Sequence, residues 1–280
     1  MRRAPAELLE STLRPIPVAF HIGPLEVHTY GVGLAVTFWS AYRYFARRLR
    51  ANGYPDAWLG GTFVWIVVAA ILGARIVHVI ANFGYYSHNP GDVVAIWHGG
   101  LSSFGGLAFA VPVGLASARR RCPQLRPSVA GDIVAPVLVA AWAMGRLLGP
   151  QLMYAGGGKP TSAWLGMYYA GEVGRRLPVP IFQALECTAI YLVGLAVERR
   201  VRRAGGPVGL VTSTIVALWG LSRFFDEYLW LGHDNGTDAV EITGLALFVI
   251  GGGVAALLLR RHRRQSGTGL EHAAKLGVAP

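Results

Sequence analysis

Thiols are nearly absent from this chain: its 280 residues include 2 cysteines, Cys122 in a basic loop and Cys187 inside an apolar run. Having neither CxxC spacing nor a loop in common, they offer no disulfide framework and no thiolate metal site. The histidines are scattered, none in HExxH or another ligand spacing, so neither a metal site nor a cofactor is expected. GxSxG, Walker and Rossmann motifs are missing, which removes the usual soluble chemistries. Residues 1–25 hold no continuous apolar h-region and no A-x-A-like cleavage site, so no removable signal peptide is expected. Charge is scarce as well, at 15% of residues, where a soluble domain carries about 25%.

What fills the chain instead is apolar sequence, 53% of it, broken into seven runs of membrane-spanning length at 27–46, 57–81, 100–118, 129–150, 180–198, 208–228 and 238–259. The fold class expected is an all-α integral membrane protein. Its parts are an extracytoplasmic arm over 1–26, a membrane domain over 27–259 with an outer loop at 151–179, and a basic tail over 260–280. A net charge of +11 could suggest nucleic acid, but the basic residues sit in clusters between apolar runs and no nucleic-acid motif accompanies them. Arg43, Arg47, Arg48 and Arg50 follow the first run, Arg119, Arg120, Arg121 and Arg126 the third, and Arg199, Arg200, Arg202 and Arg203 the fifth. Arg260, Arg261, Arg263, Arg264 and Lys275 follow the seventh, while Arg2, Arg3, Arg14, Lys159, Arg175 and Arg176 fall on the opposite side. By the positive-inside rule the N-terminus is expected outside and the C-terminus inside.

Three arginines remain within apolar runs: Arg75, Arg146 and Arg223, each near the outer end of its span. An arginine at a bilayer centre costs about 2.5 kcal/mol or more, so it needs a partner or a function there. The same half of the membrane receives Tyr30, Ser102, Ser103, Gln183 and Glu227. Behind Gly145-Arg146 comes Gly156-Gly157-Gly158-Lys159-Pro160-Thr161, where glycines permit close backbone approach and Lys159 and Thr161 offer a charge and a hydroxyl to an anion. Plainer readings stand beside these. Arg146 could snorkel to the surface, and Arg223 with Glu227 at i,i+4 could be a structural ion pair. Glu186 and Asp132 could pair with neighbouring spans. Gly99-Gly100, Gly105-Gly106 and Gly251 to Gly253 could simply let helices approach. His98, at the outer mouth of the third span, is either a base near neutral pH or an interfacial ring beside Trp97.

In this order, Ile22-Gly23-Pro24-Leu25 with Tyr30-Gly31, Gly73-Ala74-Arg75, Trp97 to Gly106, Asp132 to Pro136, Gly145-Arg146, Gly157 to Thr161, Pro178 to Ala184 and Arg223-Phe224 to Glu227 resemble the prolipoprotein diacylglyceryl transferase family. The resemblance spans about residues 17–259 and carries the family pattern at Tyr30, Arg75, Asp132, Arg146, Gly157, Arg223 and Glu227. It implies transfer of diacylglycerol from phosphatidylglycerol to the lipobox cysteine of a prolipoprotein, at the outer leaflet of the bacterial cytoplasmic membrane. Arg146, Arg223, Glu227 and Tyr30 are then the catalytic candidates, with Arg75, Gly157, Lys159, Ser102, Ser103, His98 and Gln183 lining the substrates. Arg146 and Arg223 suit a phosphate grip, because guanidinium binds it bidentately in low dielectric. The chain departs from the pattern where Phe104 stands for a histidine, Gly149 for an asparagine, Phe182-Gln183 for tyrosine-glutamate and Trp219 for a tyrosine. His98, Glu227 or the arginine field would then have to favour thiolate. The alternatives are a non-catalytic relative that binds anionic lipid or lipoprotein precursors and, less favoured for want of a repeated half or paired broken helices, a transporter.

Overall fold

The structure is a computed structural model that describes residues 19–23, 25–95, 100–149, 157–169, 173–229 and 239–275. Each expected span is helical: α1 (Thr29–Ala51), α2 (Leu59–Ala81), α4 (Ser103–Arg121), α5 (Pro127–Leu148), α6 (Val179–Ala204), α7 (Leu210–Asp226) and α8 (Ala239–Lys275). Between α2 and α4 lie the short helix α3 (Phe83–His88) and a 3-10 turn, Pro90–Val94; a second 3-10 turn, Glu227–Leu229, follows α7. α2 is rich in Val and Ile, which favour strands in water, yet it is helical, since a spanning segment must satisfy its backbone internally. Pro112 and Pro136 lie inside α4 and α5, and Gly205, at φ +62°, caps the C-terminus of α6.

α2, α5, α6 and the first part of α8, to Gln265, are long and apolar enough to cross a membrane. α1 and α4 reach the same length class but end in arginines, and α7 has 17 residues. The apolar surfaces of α2 and α8 are strongly exposed, as at Trp65, Ile80, Val249 and Ile250, which is what a lipid solvent demands.

Two differences from expectation concern the ends. The N-terminal arm carries a two-stranded antiparallel hairpin, β1 (Ala19–Ile22) with β2 (Leu25–His28), turned at Gly23 with φ +61°. α8 runs on to Lys275, so the basic tail begins as a continuation of the helix.

The chain forms two compact units, Phe45–Ala130 and the remainder. In the smaller unit α2 packs on α4 through glycines. A Cβ on Gly73 would meet Gly105 O and the Phe109 side chain, each at 2.5 Å, and Ser102 N donates to Ala74 O at 2.9 Å. In the larger unit Ala135, Val139 and Ala143 of α5, Cys187 and Ile190 of α6, and Val211 and Ile215 of α7 form a buried core flanked by Trp142 and Trp219. α8 closes on α7 where a Cβ on Gly220 would lie 2.6 Å from Gly244 O, and one on Gly251 2.7 Å from Ala217 N. Of the three consecutive glycines in α8, only Gly251 is used this way; Gly252 and Gly253 meet nothing within 4 Å.

Asp132 proves to be a helix cap reaching in from α5. Its carboxylate accepts from Gly209 N at 2.6 Å, Thr212 N at 2.8 Å and Thr212 Oγ1 at 2.7 Å. These are orphan donors at the start of α7, where the helix dipole also favours negative charge. The cap ties α5 to α7 at the end opposite Arg223.

Candidate functional site

At the far end of α7, Arg223 directs Nη1 to Asp226 Oδ2 at 3.1 Å and Nη2 to Glu227 Oε2 at 3.2 Å. Arg223 is 8% exposed and Asp226 2% exposed, so this is a buried ion triad. Two carboxylates at a helix C-terminus oppose the helix dipole, and the arginine one turn earlier offsets them. Glu227 was expected here; Asp226 was not, although its place three residues after Arg223 puts it on the same face.

Arg146, in the last turn of α5, stands differently. Its guanidinium lies 5.3 Å from the ring centroid of Trp142, which makes an edge contact with Trp219 at 5.0 Å. It feels the charges of Arg223, Asp226 and Glu227, yet makes no hydrogen bond or ion pair with any described residue. Trp219, standing where the family has a tyrosine, thus shapes the aromatic wall on which Arg146 rests.

α6 contributes the third side. Gln183 is 1% exposed, and neither Oε1 nor Nε2 has a hydrogen-bond partner among the described residues. One turn later the Glu186 carboxyl sits beside that of Asp226, and Cys187, four residues from Gln183 and on its face, is buried within the field of Arg146, Arg223 and Asp226. The expectation that Glu186 pairs with a neighbouring span resolves into a meeting of two carboxyls.

The glycine loop approaches the same helix end through its backbone. Gly158 N donates to Leu177 O at 2.9 Å and Lys159 N to Leu229 O at 2.9 Å. A Cβ at Gly158 would collide with Leu229 O and lie 2.6 Å from Val179 Cγ2. Gly158 is therefore required for close backbone packing; Gly157 beside it is buried and the Lys159 side chain is exposed. The Thr161 hydroxyl accepts from Ala163 N at 3.1 Å, which commits it to its own turn. Arg175 holds the loop, with Nε on Gly166 O at 3.1 Å and Nη2 on Trp164 O at 2.6 Å.

Arg75 and Ser102 belong to the smaller unit. The Arg75 guanidinium is spread over backbone carbonyls, with Nε on Val93 O at 2.9 Å, Nη1 on Gly100 O at 2.9 Å, and Nη2 on Asp92 O and on Ala95 O. Its ring neighbour is Tyr86, at 5.2 Å. Arg75 is thus a scaffold residue, holding the turn after α3 and Gly100, which has φ +75°. Ser102 caps α4, its Oγ accepting from Gly105 N at 3.3 Å. Outside the membrane-length segments, Tyr85 donates to Asp92 at 2.6 Å, which raises the phenol's pKa. Ser103 opens α4 and Tyr30 lies in the first turn of α1, but their side chains, like the whole of His98, are outside the described residues.

A multi-pass helical membrane protein holding an uncommitted arginine among buried carboxyls is the class that these features define. The chain belongs to the prolipoprotein diacylglyceryl transferase family, whose model matches residues 17–265. It is similar to the phosphatidylglycerol–prolipoprotein diacylglyceryl transferase of Geobacter sulfurreducens, 31% identical over 261 residues that cover 88% of this chain and 96% of the relative. The enzyme of that name from Staphylococcus carnosus is 28% identical over 263 residues, covering 89% and 92%.

Proposed function

We propose that the protein transfers the diacylglyceryl group of phosphatidylglycerol to the lipobox cysteine thiol of prolipoproteins, at the outer leaflet of a bacterial cytoplasmic membrane. The observation that carries the reading is Arg146, a half-buried guanidinium with no protein acceptor among the described residues, beside the ion-paired Arg223. Uncommitted donors in a low-dielectric setting suit a phosphate diester, which a guanidinium can hold through two parallel hydrogen bonds.

In the reaction the cysteine sulfur attacks the glyceryl carbon that bears the phosphate, the C–O bond breaks, and glycerol phosphate leaves with the electron pair. The thiol proton departs to a base or to solvent. Arg146 offsets charge growing on the leaving phosphate, a differential stabilisation that lowers the barrier. Arg223, already bonded to Asp226 and Glu227, fixes those carboxylates and adds positive potential. Tyr30, Lys159 and the family-pattern Gly157 stand as substrate contacts of the same reading.

Seven crossings with the N-terminus outside are the topology of this reading, supported by the seven long helices and by the arginine clusters at the ends of α1, α4 and α6 and within α8. An impermeant reagent is expected to label a cysteine placed at Gly157 in intact cells; labelling only after lysis overturns this orientation.

Phe104, where the family has an imidazole, favours a second reading, a lipid binder without turnover. Transfer of labelled diacylglycerol to a lipobox peptide decides between them. Product from the native protein supports the transferase; phosphatidylglycerol binding with no product from either the native protein or Phe104→His supports the binder.

A further inference from the structure

We propose that Gln183, Glu186 and Asp226 form a polyol-reading subsite beside the arginines, one that recognises the glycerol headgroup carried on the donor's phosphate. The inference rests on the phosphatidylglycerol-dependent reading above and adds the residues that set headgroup preference.

Four polar atoms lead to it. Gln183 Oε1 and Gln183 Nε2 are buried with no hydrogen-bond partner among the described residues, and Glu186 Oε2 and Asp226 Oδ1 are buried atoms of two carboxyls that meet in a carboxyl–carboxyl hydrogen bond. Burying an unpaired amide or carboxylate oxygen is unfavourable enough that such groups nearly always have a protein, water or ligand partner. Here they converge. Gln183 and Glu186 lie one turn apart on α6, Glu186 sits beside Asp226, and Gln183 shares its buried face with Cys187, which lies in the field of Asp226, Arg146 and Arg223.

Their chemistry suits hydroxyls. A hydroxyl donates one hydrogen bond and accepts others. A glycerol headgroup can therefore donate to a remaining lone pair of the carboxyl pair and to Gln183 Oε1 while accepting from Gln183 Nε2. Asp226 already has a counter-charge in Arg223 at 3.1 Å, so what it leaves open is a lone pair for a neutral donor more than a charge in need of a cation. Arg146, unpaired beside the triad, is placed for the phosphate from which the polyol hangs. A bare phosphate monoester, having no polyol hydroxyls, would leave the acceptor oxygens of the subsite without donors. An ammonium headgroup would leave the Gln183 N–H donors without an acceptor.

The test compares lipids with identical acyl chains: phosphatidylglycerol, phosphatidic acid and phosphatidylethanolamine. Affinity is read by native mass spectrometry for the native protein, Gln183→Met and Glu186→Gln. Methionine keeps the length of the buried side chain, and the half-exposed Glu186→Gln provides a second, nearly isosteric probe should the first fail to fold. The native protein is expected to prefer phosphatidylglycerol to both other lipids. Each variant is expected to lose that preference by about 5- to 10-fold, the worth of one hydrogen bond, with phosphatidic acid unchanged. Soluble glycerol phosphate carries the same group without acyl chains. Its displacement of phosphatidylglycerol should weaken by a similar factor in both variants if the headgroup alone is read.

Unchanged lipid ratios in both variants, or a selective loss of phosphatidylethanolamine, overturn the subsite while the transferase reading stands. A native protein that neither binds phosphatidylglycerol nor transfers its diacylglyceryl group overturns both.

Discussion

Arg146 and Arg223 resemble each other in sequence, each closing an apolar run, but the structure predicts opposite consequences of removing them. Arg223→Ala leaves Asp226, 2% exposed, and Glu227 without their shared cation. Breaking a buried pair from one side costs about 3–5 kcal/mol, because a charge is left uncompensated. In a domain of this size that is a fall in melting temperature of roughly 10 °C. Among the described residues Arg146→Ala orphans no acceptor and loses the contact with Trp142 at 5.3 Å, a cation–π interaction worth about 0.5–1 kcal/mol. Its melting temperature should move by no more than about 3 °C. Lipid affinity should show the reverse ranking for Arg146, a loss of about 10- to 100-fold in phosphatidylglycerol binding if one charge-assisted hydrogen bond disappears. Arg146→Lys should fall between, keeping charge without the planar fork. Thermal denaturation in detergent and native mass spectrometry of the same preparations measure both quantities. Equal destabilisation by the two alanine variants, or undiminished lipid binding by Arg146→Ala, refutes this division of roles.

Asp132→Asn should destabilise the protein by about 2 kcal/mol while leaving headgroup preference unchanged, since it weakens three hydrogen bonds to the start of α7; thermal denaturation with the lipid series checks both. Gly251→Val should separate α8 from α7, because its Cβ alone would lie 2.7 Å from Ala217 N, and overpacking of this kind costs about 1–3 kcal/mol or more. Gly252→Val, at a position with nothing within 4 Å, is the matched control and should be tolerated; the pair is compared by thermal denaturation. Phe104→His should raise the transfer rate, since a positioned general base typically contributes about 10²–10⁴-fold; a rate unchanged across pH 6–9 would mean that the imidazole does not reach the thiol.

Helix positions were legible because a bilayer fixes both length and composition: a run of about twenty apolar residues has few other solutions. The β1–β2 hairpin was not, since a short apolar arm interrupted by Gly23-Pro24 has no length standard to meet. At the site, the cations were easier to find than the role of each. An arginine in an apolar run announces an unusual role, but its acceptors can be backbone carbonyls, which every sequence supplies and none advertises. Arg75 met four of them, at Asp92, Val93, Ala95 and Gly100, and became a scaffold residue. Asp226 was legible in principle from its i,i+3 spacing to Arg223, but Glu227 at i+4 offered the same arginine an equally good partner, and only the fold shows that both are used. The Gln183 amide teaches the converse. Glutamine in a span reads as a weakened stand-in for glutamate, yet buried at 1% exposure it supplies both a donor and an acceptor where a carboxylate would supply acceptors alone. Beside two carboxyls already present, in Glu186 and Asp226, a third carboxylate would add like-charge repulsion in low dielectric, whereas the neutral amide adds the missing donor. The departure from the family pattern at Gln183 is therefore consistent with the two acids around it.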